Sequence, residues 1–369
     1  GSEMKSKYLI IILVFVVILT SCGKKQPQPT EEDNRREQLI NELLEEFDSE
    51  KNSEADSKED SQQNKEEDEG DIEVVVQPEG PICPLTGLPY DGEYKPVAMI
   101  IENSPAARPQ SGLIDADLVY EAHAEGGITR FLAIFLSKAP EKVGPIRSVR
   151  HYFMHMAREW DALLVHYGQS FIAEEQFNTI QVHRLNGLYM PNEEPFWRDK
   201  SRKAPHNVYI DTKDCIERID FEQQERGFEF TTDPLPNGKE YSSLTIPYNR
   251  SASMIEYRYD KEKGLNMRYM NGKPHVDRET GEQLYNKNII VQYANHGILE
   301  PGAGYREVEV IGSGKAVYFI DGKYEEGTWQ RKGPNAATEY LDGSGKPICL
   351  APGKVWINVV PKDIEIIIE

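Results

Sequence analysis

The stretch VYEAHAEGGITRF, residues 119–131, decides how the first half of this chain folds, because it joins two strand-like runs through a glycine pair. The runs DLVYEAHA (117–124) and ITRFLAIFL (128–136) contain β-branched and aromatic residues at the density that strands favour. Gly126 and Gly127 between them permit a backbone geometry that other residues avoid. The stretch therefore predicts two strands that meet at a glycine turn.

Ionisable side chains occupy alternate positions of the first strand, where a strand bound for a core would be apolar. Alternate residues of a strand share a face, so Glu121, His123 and Glu125 are predicted to lie together, opposite an apolar face. Arg130 opens the next strand and brings a cation to the same turn. Two alternatives remain open: this face is exposed to solvent, or it forms an internal polar cleft.

The flanking segments predict a mixed α/β domain over residues 81–235. PVAMIIEN (96–103) and ALLVHYG (162–168) have the composition of strands. SVRHYFMHMAREW (148–160) has an apolar stripe at helical spacing, with Ser148 as a candidate N-cap. Further helices are predicted within residues 171–180 and 211–225, the second capped by Asp211 or Thr212.

The last third of the chain, residues 236–369, predicts a β-rich domain. Short alternating runs recur there between turn signals, and the pairs Asn271-Gly272, Asp321-Gly322 and Asp342-Gly343 are strong hairpin signals. The fold class expected for the folded body is therefore α+β, with a mixed α/β N-terminal domain and a β-rich C-terminal domain.

The N-terminal segment predicts an address outside the cytoplasm. The first three residues are interpreted as a cloning remnant, and residues 9–19 are eleven apolar residues, the length of a signal-peptide core. Leu19-Thr20-Ser21-Cys22 resembles a bacterial lipobox, which implies cleavage before Cys22 and attachment of a palmitate-type lipid to its sulfur. The protein is thus expected on the extracytoplasmic face of the cell membrane, anchored by lipid, with residues 1–22 as scar and signal peptide.

A polar linker is predicted over residues 23–80, and it accounts for most of the net charge of −20. Residues 31–73 hold 19 Asp and Glu against five Lys and Arg, and such a segment buries too little apolar area to fold. The remaining body is only mildly acidic, so nucleic acid is not an expected partner.

Cationic and histidine side chains gather at three further places in the first domain. GPIRSVRHYF (144–153) places Arg147 and Arg150 at a helix start, where a bound anion would offset their conflict with the helix dipole. That anion would be Glu121, Glu125 or a ligand. HYGQS (166–170) places His166 at a strand end, and SRKAPHNVYI (201–210) supplies His206 and Asn207.

Metal, nucleotide and disulfide chemistry find little support in the sequence. His151 and His155 are spaced four apart, but no HExxH, HxH or aspartate-rich loop accompanies them. There is no P-loop or dinucleotide fingerprint, and no metal or cofactor is expected. With Cys22 lipidated, Cys83, Cys215 and Cys349 allow at most one intramolecular disulfide.

The motifs PLTGLPY (84–90), GPIRSVRHYF (144–153) and KAPHNVYI (203–210), together with residues 107–131 and HYGQS, resemble the YerB-type lipoproteins of Gram-positive bacteria. The likeness continues through DGKYEEGTW (321–329) and PGKVWI (352–357). It implies a lipobox, a polar spacer and two adjoining domains of unknown function. It implies no activity, because the family is uncharacterised.

Two classes of function follow from these residues. The first is a membrane-anchored binding lipoprotein of the cell envelope, whose cleft holds a cell-wall glycan, a peptide or a partner protein. Its ligand-binding residues are predicted to be Arg130, Arg147, Arg150, His166, His206 and Asn207. The alternative is an enzyme that cleaves peptidoglycan, a glycosidase or lytic transglycosylase, with Glu125 as general acid/base and Glu121 as second carboxylate.

Overall fold

The computed structural model describes residues 80–249, 253–299 and 304–369 of the chain. The predicted signal peptide, Cys22 and residues 23–79 of the linker lie outside the described residues. Within the described ranges, no helix has the length and apolar character that a membrane span requires.

Three α-helices occur in the described residues, and all lie in the predicted N-terminal domain. Their bounds are α1 His151–Glu159, α2 Phe171–Gln176 and α3 Thr212–Ile216. Ser170 and Asp211 cap the second and third helices, accepting bonds from Ala173 N and Lys213 N. The first helix begins three residues later than predicted. The hydroxyl of Ser148 donates to the backbone oxygen of Tyr167 and does not cap it.

Strands form most of the body and continue from one predicted domain into the next. The first seven are β1 Val97–Glu102, β2 Leu118–His123, β3 Thr129–Phe135, β4 Leu163–His166, β5 Arg184–Asn186, β6 Trp197–Arg198 and β7 Val208–Tyr209. The next seven are β8 Lys239–Glu240, β9 Ser243–Asn249, β10 Ser253–Asp260, β11 Leu265–Met270, β12 Lys273–Pro274, β13 Tyr285–Asn286 and β14 Asn288–Ala294. The last seven are β15 His296–Ile298, β16 Arg306–Val308, β17 Gly312–Ile320, β18 Lys323–Arg331, β19 Glu339–Leu341, β20 Val355–Pro361 and β21 Ile367–Ile368.

One 11-stranded main sheet combines strands from both halves of the chain. Its order is β19-β18-β17-β14-β20-β2-β3-β1-β4-β5, with β8 beside β18. The junction is the parallel pairing of β2 with β20, in which Glu121 lies opposite Asn358. Because β20 comes from the end of the chain, the N-terminal strands are complete only when the C-terminal part has folded against them.

A second sheet of six strands covers one face of the main sheet. Its order is β12-β11-β10-β9-β21, with β13 beside β11. The central strands β1 to β4 and β14 of the main sheet are buried along their whole length, as strands covered on both sides must be. Tyr120 and Ala122 of β2 pack in the core that contains α1. Val119, one position along, packs in the core that contains the second sheet.

The sequence predictions for the main elements are confirmed. The four predicted strands correspond to β1 to β4 with ends shifted by at most two residues. The hairpin turns at Asn271-Gly272 and Asp321-Gly322 occur, and all four of these residues have positive φ angles. The fold is α+β and mainly β, as expected.

Candidate functional site

The ionisable residues of β2 and the following turn are all buried. Glu121, His123 and Glu125 are 0%, 6% and 5% exposed, so the solvent-exposed alternative is excluded. Only Glu121 and His123 share a face, the one toward the second sheet, where His123 Nε2 lies 3.0 Å from the backbone oxygen of Tyr248. Glu121 points to the second sheet, whereas Glu125 lies in the turn Glu125–Gly127, which turns its side chain toward α1. Gly126 and Gly127 make this turn with φ angles of 69° and 77°.

Glu125 forms a bidentate ion pair with Arg150, the residue that precedes α1. Arg150 Nε donates to Oε1 at 2.5 Å and Nη2 donates to Oε2 at 2.7 Å. Glu125 is therefore the anion that the cationic start of this helix requires. Burial alone would raise the pKa of the Glu125 carboxyl, but the charge and hydrogen bonds of Arg150 lower it to about 2. The carboxylate is ionised and both of its oxygens are occupied.

Glu121 lies deeper and is held by side chains from three elements. Thr129 Oγ1 donates to Oε1 at 2.6 Å, Asn103 Nδ2 donates to the same oxygen at 3.3 Å, and Arg268 Nη2 donates to Oε2 at 2.7 Å. Burial raises the pKa of this carboxyl, and the opposing charge of Arg268 does not reverse the direction. The two glutamates therefore carry opposite pKa shifts and bind different arginines.

Arg268 is a member of this buried cluster that sequence reasoning missed. It is completely buried, with Nε donating to His275 Nδ1 at 3.1 Å and its guanidinium carbon 4.4 Å from the Trp356 ring centroid. Along β11 the apolar side chains Leu265 and Met267 face outward, and Arg268 faces inward. The alternation LNMRYM is visible in the sequence, but it predicts the opposite orientation, because apolar side chains normally face the core.

Glu102, at the end of β1, is a second buried carboxylate that the sequence did not single out. Ser104 Oγ donates to Oε1 at 2.6 Å, His206 Nδ1 lies 2.7 Å from the same oxygen, and Arg147 Nε lies 3.4 Å from Oε2. Burial acts to raise the pKa of Glu102, but Arg147 and His206 lower it to about 2. Two predicted ligand-binding residues, Arg147 and His206, therefore meet at a glutamate.

Two amide side chains connect the backbone of Glu102 to the Glu121 carboxylate, which accepts from Asn103 Nδ2. Gln110 Nε2 donates to the backbone oxygen of Glu102 at 2.9 Å and to Asn103 Oδ1 at 3.0 Å. His275 Nε2 lies 2.7 Å from Gln110 Oε1, and Arg108 Nε donates to Asn103 Oδ1 at 3.0 Å. We call the resulting set of bonded side chains the polar network. Its members are Glu102, Asn103, Arg108, Gln110, Glu121, Thr129, Arg147, His206, Arg268 and His275.

Arg130 and Arg150 lie beside the polar network. Both donate to the backbone oxygen of Ser148, at 2.8 Å from Arg130 Nη1 and 3.3 Å from Arg150 Nη1. Counted with them, five arginines face the three glutamates at positions 102, 121 and 125. This excess of cationic side chains suits the region to an anion. Arg108 and Arg147 are partly exposed, so the positive charge of this region reaches the protein surface.

The polar network lies where an α/β protein usually binds its ligands. The strands β1, β4 and β5 are parallel neighbours, and they end at Glu102, His166 and Asn186. Ligands of such sheets bind beyond the carboxyl ends of the strands. The sequence predicted this edge from His166 alone.

His166 and Asn207 do not join the polar network directly. His166 is completely buried, its Nδ1 lies 2.7 Å from the Gly168 backbone oxygen, and burial lowers its pKa to about 3. It is a neutral side chain stacked on Phe177. Asn207 lies on the outer side, where its Oδ1 accepts a bond from Arg198 at 3.2 Å.

Among the described residues, no three His, Cys, Asp or Glu side chains are placed together to hold a metal ion. His151 Nε2 lies 3.0 Å from Glu307 Oε2, which gives this histidine a single carboxylate partner. Cys83 and Cys215 are buried free thiols, and Cys349 is a partly exposed one. Burial raises the pKa of the Cys215 thiol, so this cysteine is not activated as a nucleophile.

Comparison with known proteins identifies relatives along most of the body. The family described as "Protein of unknown function (DUF3048) N-terminal domain" matches residues 85–228, and its C-terminal counterpart matches residues 244–357. "Putative lipoprotein YerB" of Bacillus subtilis (strain 168) is 37% identical over 293 residues, which are 75% of this chain and 86% of the relative. The crystal structure of YerB protein from Bacillus subtilis superimposes with a TM-score of 0.70 at 36% identity, over 78% of this chain and 100% of that chain.

Proposed function

The chain belongs to the DUF3048 family, whose members are described as proteins of unknown function, and we propose that it has a binding role. It resembles a lipoprotein along most of its body. The protein would be anchored through lipid on Cys22 at the outer face of the cell membrane. Its folded body would hold an anionic component of the cell wall, glycan or peptide, or an envelope protein. Arg147 and Arg108 would contact the anion at the carboxyl edge of β1.

The observation that carries this proposal is the bidentate pairing of Glu125 with Arg150. A general acid must hold a proton at the working pH, and Arg150 keeps the pKa of Glu125 at about 2. Glu121 has the raised pKa that an acid needs, yet it is 0% exposed beneath the second sheet. Glu125 therefore lacks the proton that a general acid donates, and Glu121 lacks access to a substrate. Both facts favour binding over cleavage of peptidoglycan.

The charge of the polar network supports an anionic ligand. Within the network two glutamates face three arginines, and with Glu125, Arg130 and Arg150 beside it the count is three carboxylates to five arginines; the partly exposed Arg108 and Arg147 bring this excess of positive charge to solvent. An incoming carboxylate or phosphate would gain charge-assisted hydrogen bonds there. The acidic glycopeptides and polymers of a cell wall carry such groups.

The test is sedimentation of the folded body, residues 80–369, with purified peptidoglycan, followed by mass spectrometry of the soluble products. A chain of matching extent from the relative crystallises, so this part folds on its own. We expect the protein to sediment with the wall and to release no new fragments. Arg147→Gln should weaken binding about tenfold, the loss of one charge-assisted bond.

The matched control is Arg258→Gln, because Arg258 is an exposed arginine paired with Glu256 on β10, away from the polar network. Its binding should equal that of the wild type. New muropeptides released by the wild type and absent with Glu125→Gln would contradict the proposal and establish the enzyme instead. Equal binding by Arg147→Gln and the wild type would exclude Arg147, at the carboxyl edge of β1, as part of the binding site.

A further inference from the structure

A second group of polar and aromatic side chains lies on the outer side of the same sheet edge. The segment that follows β5, residues 187–198, exposes Leu188 and Tyr189 to 52% and 49%. Tyr167, from the β4 end, lies against this segment, since a side chain at Gly187 would come within 2.6 Å of the Tyr167 ring. We call Tyr167, Gln169, Tyr189, Glu193 and Arg198 the tyrosine platform.

The exposed ring of Tyr189 is fixed by a chain of amide hydrogen bonds. Gln169 Nε2 donates to the Tyr189 hydroxyl at 2.8 Å, and Asn186 Nδ2 donates to Gln169 Oε1 at 2.7 Å. Asn186 Oδ1 in turn accepts from the backbone nitrogens of Gly168 and Leu188. The ring is therefore presented to solvent in a defined orientation.

The other side of the platform is a neutralised ion pair. Arg198 Nε and Nη2 donate to the two oxygens of Glu193 at 3.1 and 3.0 Å, and Nη2 also donates to the Tyr167 hydroxyl at 2.8 Å. Tyr167 donates its own hydroxyl proton to Glu193. Asn192 and Glu193 both adopt positive φ angles, 56° and 61°, which is strained for residues other than glycine. Strain of this kind persists where surrounding contacts enforce it, often at binding sites.

We infer that the tyrosine platform binds an uncharged pyranose ring of a wall glycan. This inference rests on the proposed function and names the part of the wall that this surface recognises. The C–H face of a sugar carries partial positive charge and stacks on the negative face of an aromatic ring. Its hydroxyls would bond to the Glu193 carboxylate, the Arg198 guanidinium and the Gln169 amide, which offer both donors and acceptors.

The size and charge of the platform favour a sugar over other occupants. A protein interface needs about 20 to 30 residues on each side, whereas the segment 187–198 exposes three large apolar side chains, Leu188, Tyr189 and Trp197, beside the polar groups of the platform. The Glu193–Arg198 pair has no net charge, so an anion gains little from it. The platform adjoins Arg147 through Tyr167, whose backbone nitrogen donates to the backbone oxygen of Arg147 at 3.0 Å. A glycan on the platform would place its acidic substituents near Arg147.

The test is calorimetric titration of residues 80–369 with the tetrasaccharide of N-acetylglucosamine, which carries no charge and no peptide. We expect saturable binding, and Tyr189→Ala should weaken it at least fivefold, because the stacking ring is lost. Tyr189→Phe keeps the ring and should bind within about threefold of the wild type. Tyr269→Ala, which removes a tyrosine from the outer face of β11, is the matched control and should change nothing.

The outcomes separate this inference from the proposed function. Binding of whole peptidoglycan without any binding of the tetrasaccharide overturns the platform and leaves the envelope-binding role in place. Tetrasaccharide binding that is unchanged in Tyr189→Ala also overturns it, because the sugar then lies elsewhere. Failure to bind peptidoglycan in any form removes the proposed binding of the cell wall. Sugar binding lost with Tyr189→Ala and kept with Tyr189→Phe supports both.

Discussion

On the two faces of the main sheet, the pKa values of two neighbouring glutamates shift in opposite directions. On the helix-covered face, Glu125 meets Arg150, whose side chain is 9% exposed, and the pKa of the glutamate falls to about 2. On the face covered by the second sheet, Glu121 meets Arg268, which is 0% exposed, and the pKa of the glutamate rises. A buried ion pair near the surface stabilises its charges, whereas one deeper inside does not recover the full cost of desolvation.

The two pairs also differ in what they connect. Glu125 and Arg150 lie in the same family domain, within residues 85–228, whereas Arg268 comes from the domain that spans residues 244–357. The deep pair is therefore a contact between the two halves of the chain, next to the pairing of β2 with β20. The Glu125–Arg150 pair therefore lies within one domain, whereas the Glu121–Arg268 pair connects the two halves of the chain.

The largest effect is expected from Arg268→Met. Removing the cation leaves Glu121 buried without a partner, which costs about 3–5 kcal/mol of unfolding free energy. Urea unfolding monitored by circular dichroism at pH 7 measures the loss. Arg258→Met, at an exposed arginine of the same sheet, is the control and should stay within about 0.5 kcal/mol of the wild type. Combining Arg268→Met with Glu121→Gln should recover part of the loss, and no recovery would show that the charge of Glu121 is not the cause.

A smaller effect is expected from Glu125→Gln. The amide keeps one acceptor for Arg150, and Arg150 retains its bonds to the backbone oxygens of Ser148 and Val149. The loss should be about 2–3 kcal/mol, the scale of hydrogen bonds to charged groups. Glu326→Gln, at an exposed glutamate paired with Lys315, is the control for the same chemical change in the same unfolding assay. A loss of unfolding free energy larger than that of Arg268→Met would contradict the expectation that the Glu121–Arg268 pair matters more for stability than the Glu125–Arg150 pair.

Sequence reasoning predicted where the buried ion pairs lie better than which residues form them. The β2 strand, the glycine turn and the cationic start of α1 follow from local patterns, and these define the helix-covered face. The second-sheet face does not follow from them, because Arg268 lies 147 residues from Glu121 in sequence. Its inward orientation also opposes the apolar pattern of β11. A polar side chain buried against a distant carboxylate leaves no periodic signal.

The predicted division into an α/β part and a β part shows the same limit of sequence reasoning. Composition and turn signals predict an α/β part followed by a β part, and the helices do lie only in the first part of the described residues. Yet β20, near the chain end, inserts beside β2 and makes one sheet of both parts. Strand order depends on pairing between distant segments, which hydrophobic periodicity does not encode. Glu102 was overlooked for a related reason, since it ends an apolar run and its partners come from elsewhere.

The pH dependence of stability should distinguish the two glutamates. The folded pKa of Glu125 lies below its unfolded value of 4.5, so its stabilisation is complete above about pH 4.5 and is lost as the pH falls toward 2. The folded pKa of Glu121 is raised, so proton uptake by the folded state adds stability as the pH falls through it. Glu125→Gln should therefore flatten the decline of unfolding free energy below pH 4.5, by at most about 1.4 kcal/mol per pH unit.

In the same titration, the Glu121→Gln variant should show a steeper decline of unfolding free energy below pH 4.5, because a group that gains a proton on folding has been removed. His123 contributes separately. Burial lowers its pKa to about 4, so its part of the stability is lost between about pH 6.5 and 4, in the wild type and in both variants alike. Urea midpoints measured from pH 7 to pH 3 provide all three curves. Parallel curves for the two glutamine variants would contradict the opposite pKa shifts.

The smallest effect is expected from Thr129→Val, which changes only the hydrogen bonding of the deep pair. Thr129 Oγ1 donates to Glu121 at 2.6 Å and accepts from Asn103 Nδ2 at 2.7 Å, and losing both should cost about 1–2 kcal/mol at pH 7. Thr328→Val, at an exposed position of β18, controls for β-propensity. Because the lost bond favours the ionised form of Glu121, the substitution should raise the pKa of that carboxyl further. The destabilisation should then shrink as the pH falls and Glu121 takes up its proton, whereas a simple packing defect would cost the same at every pH.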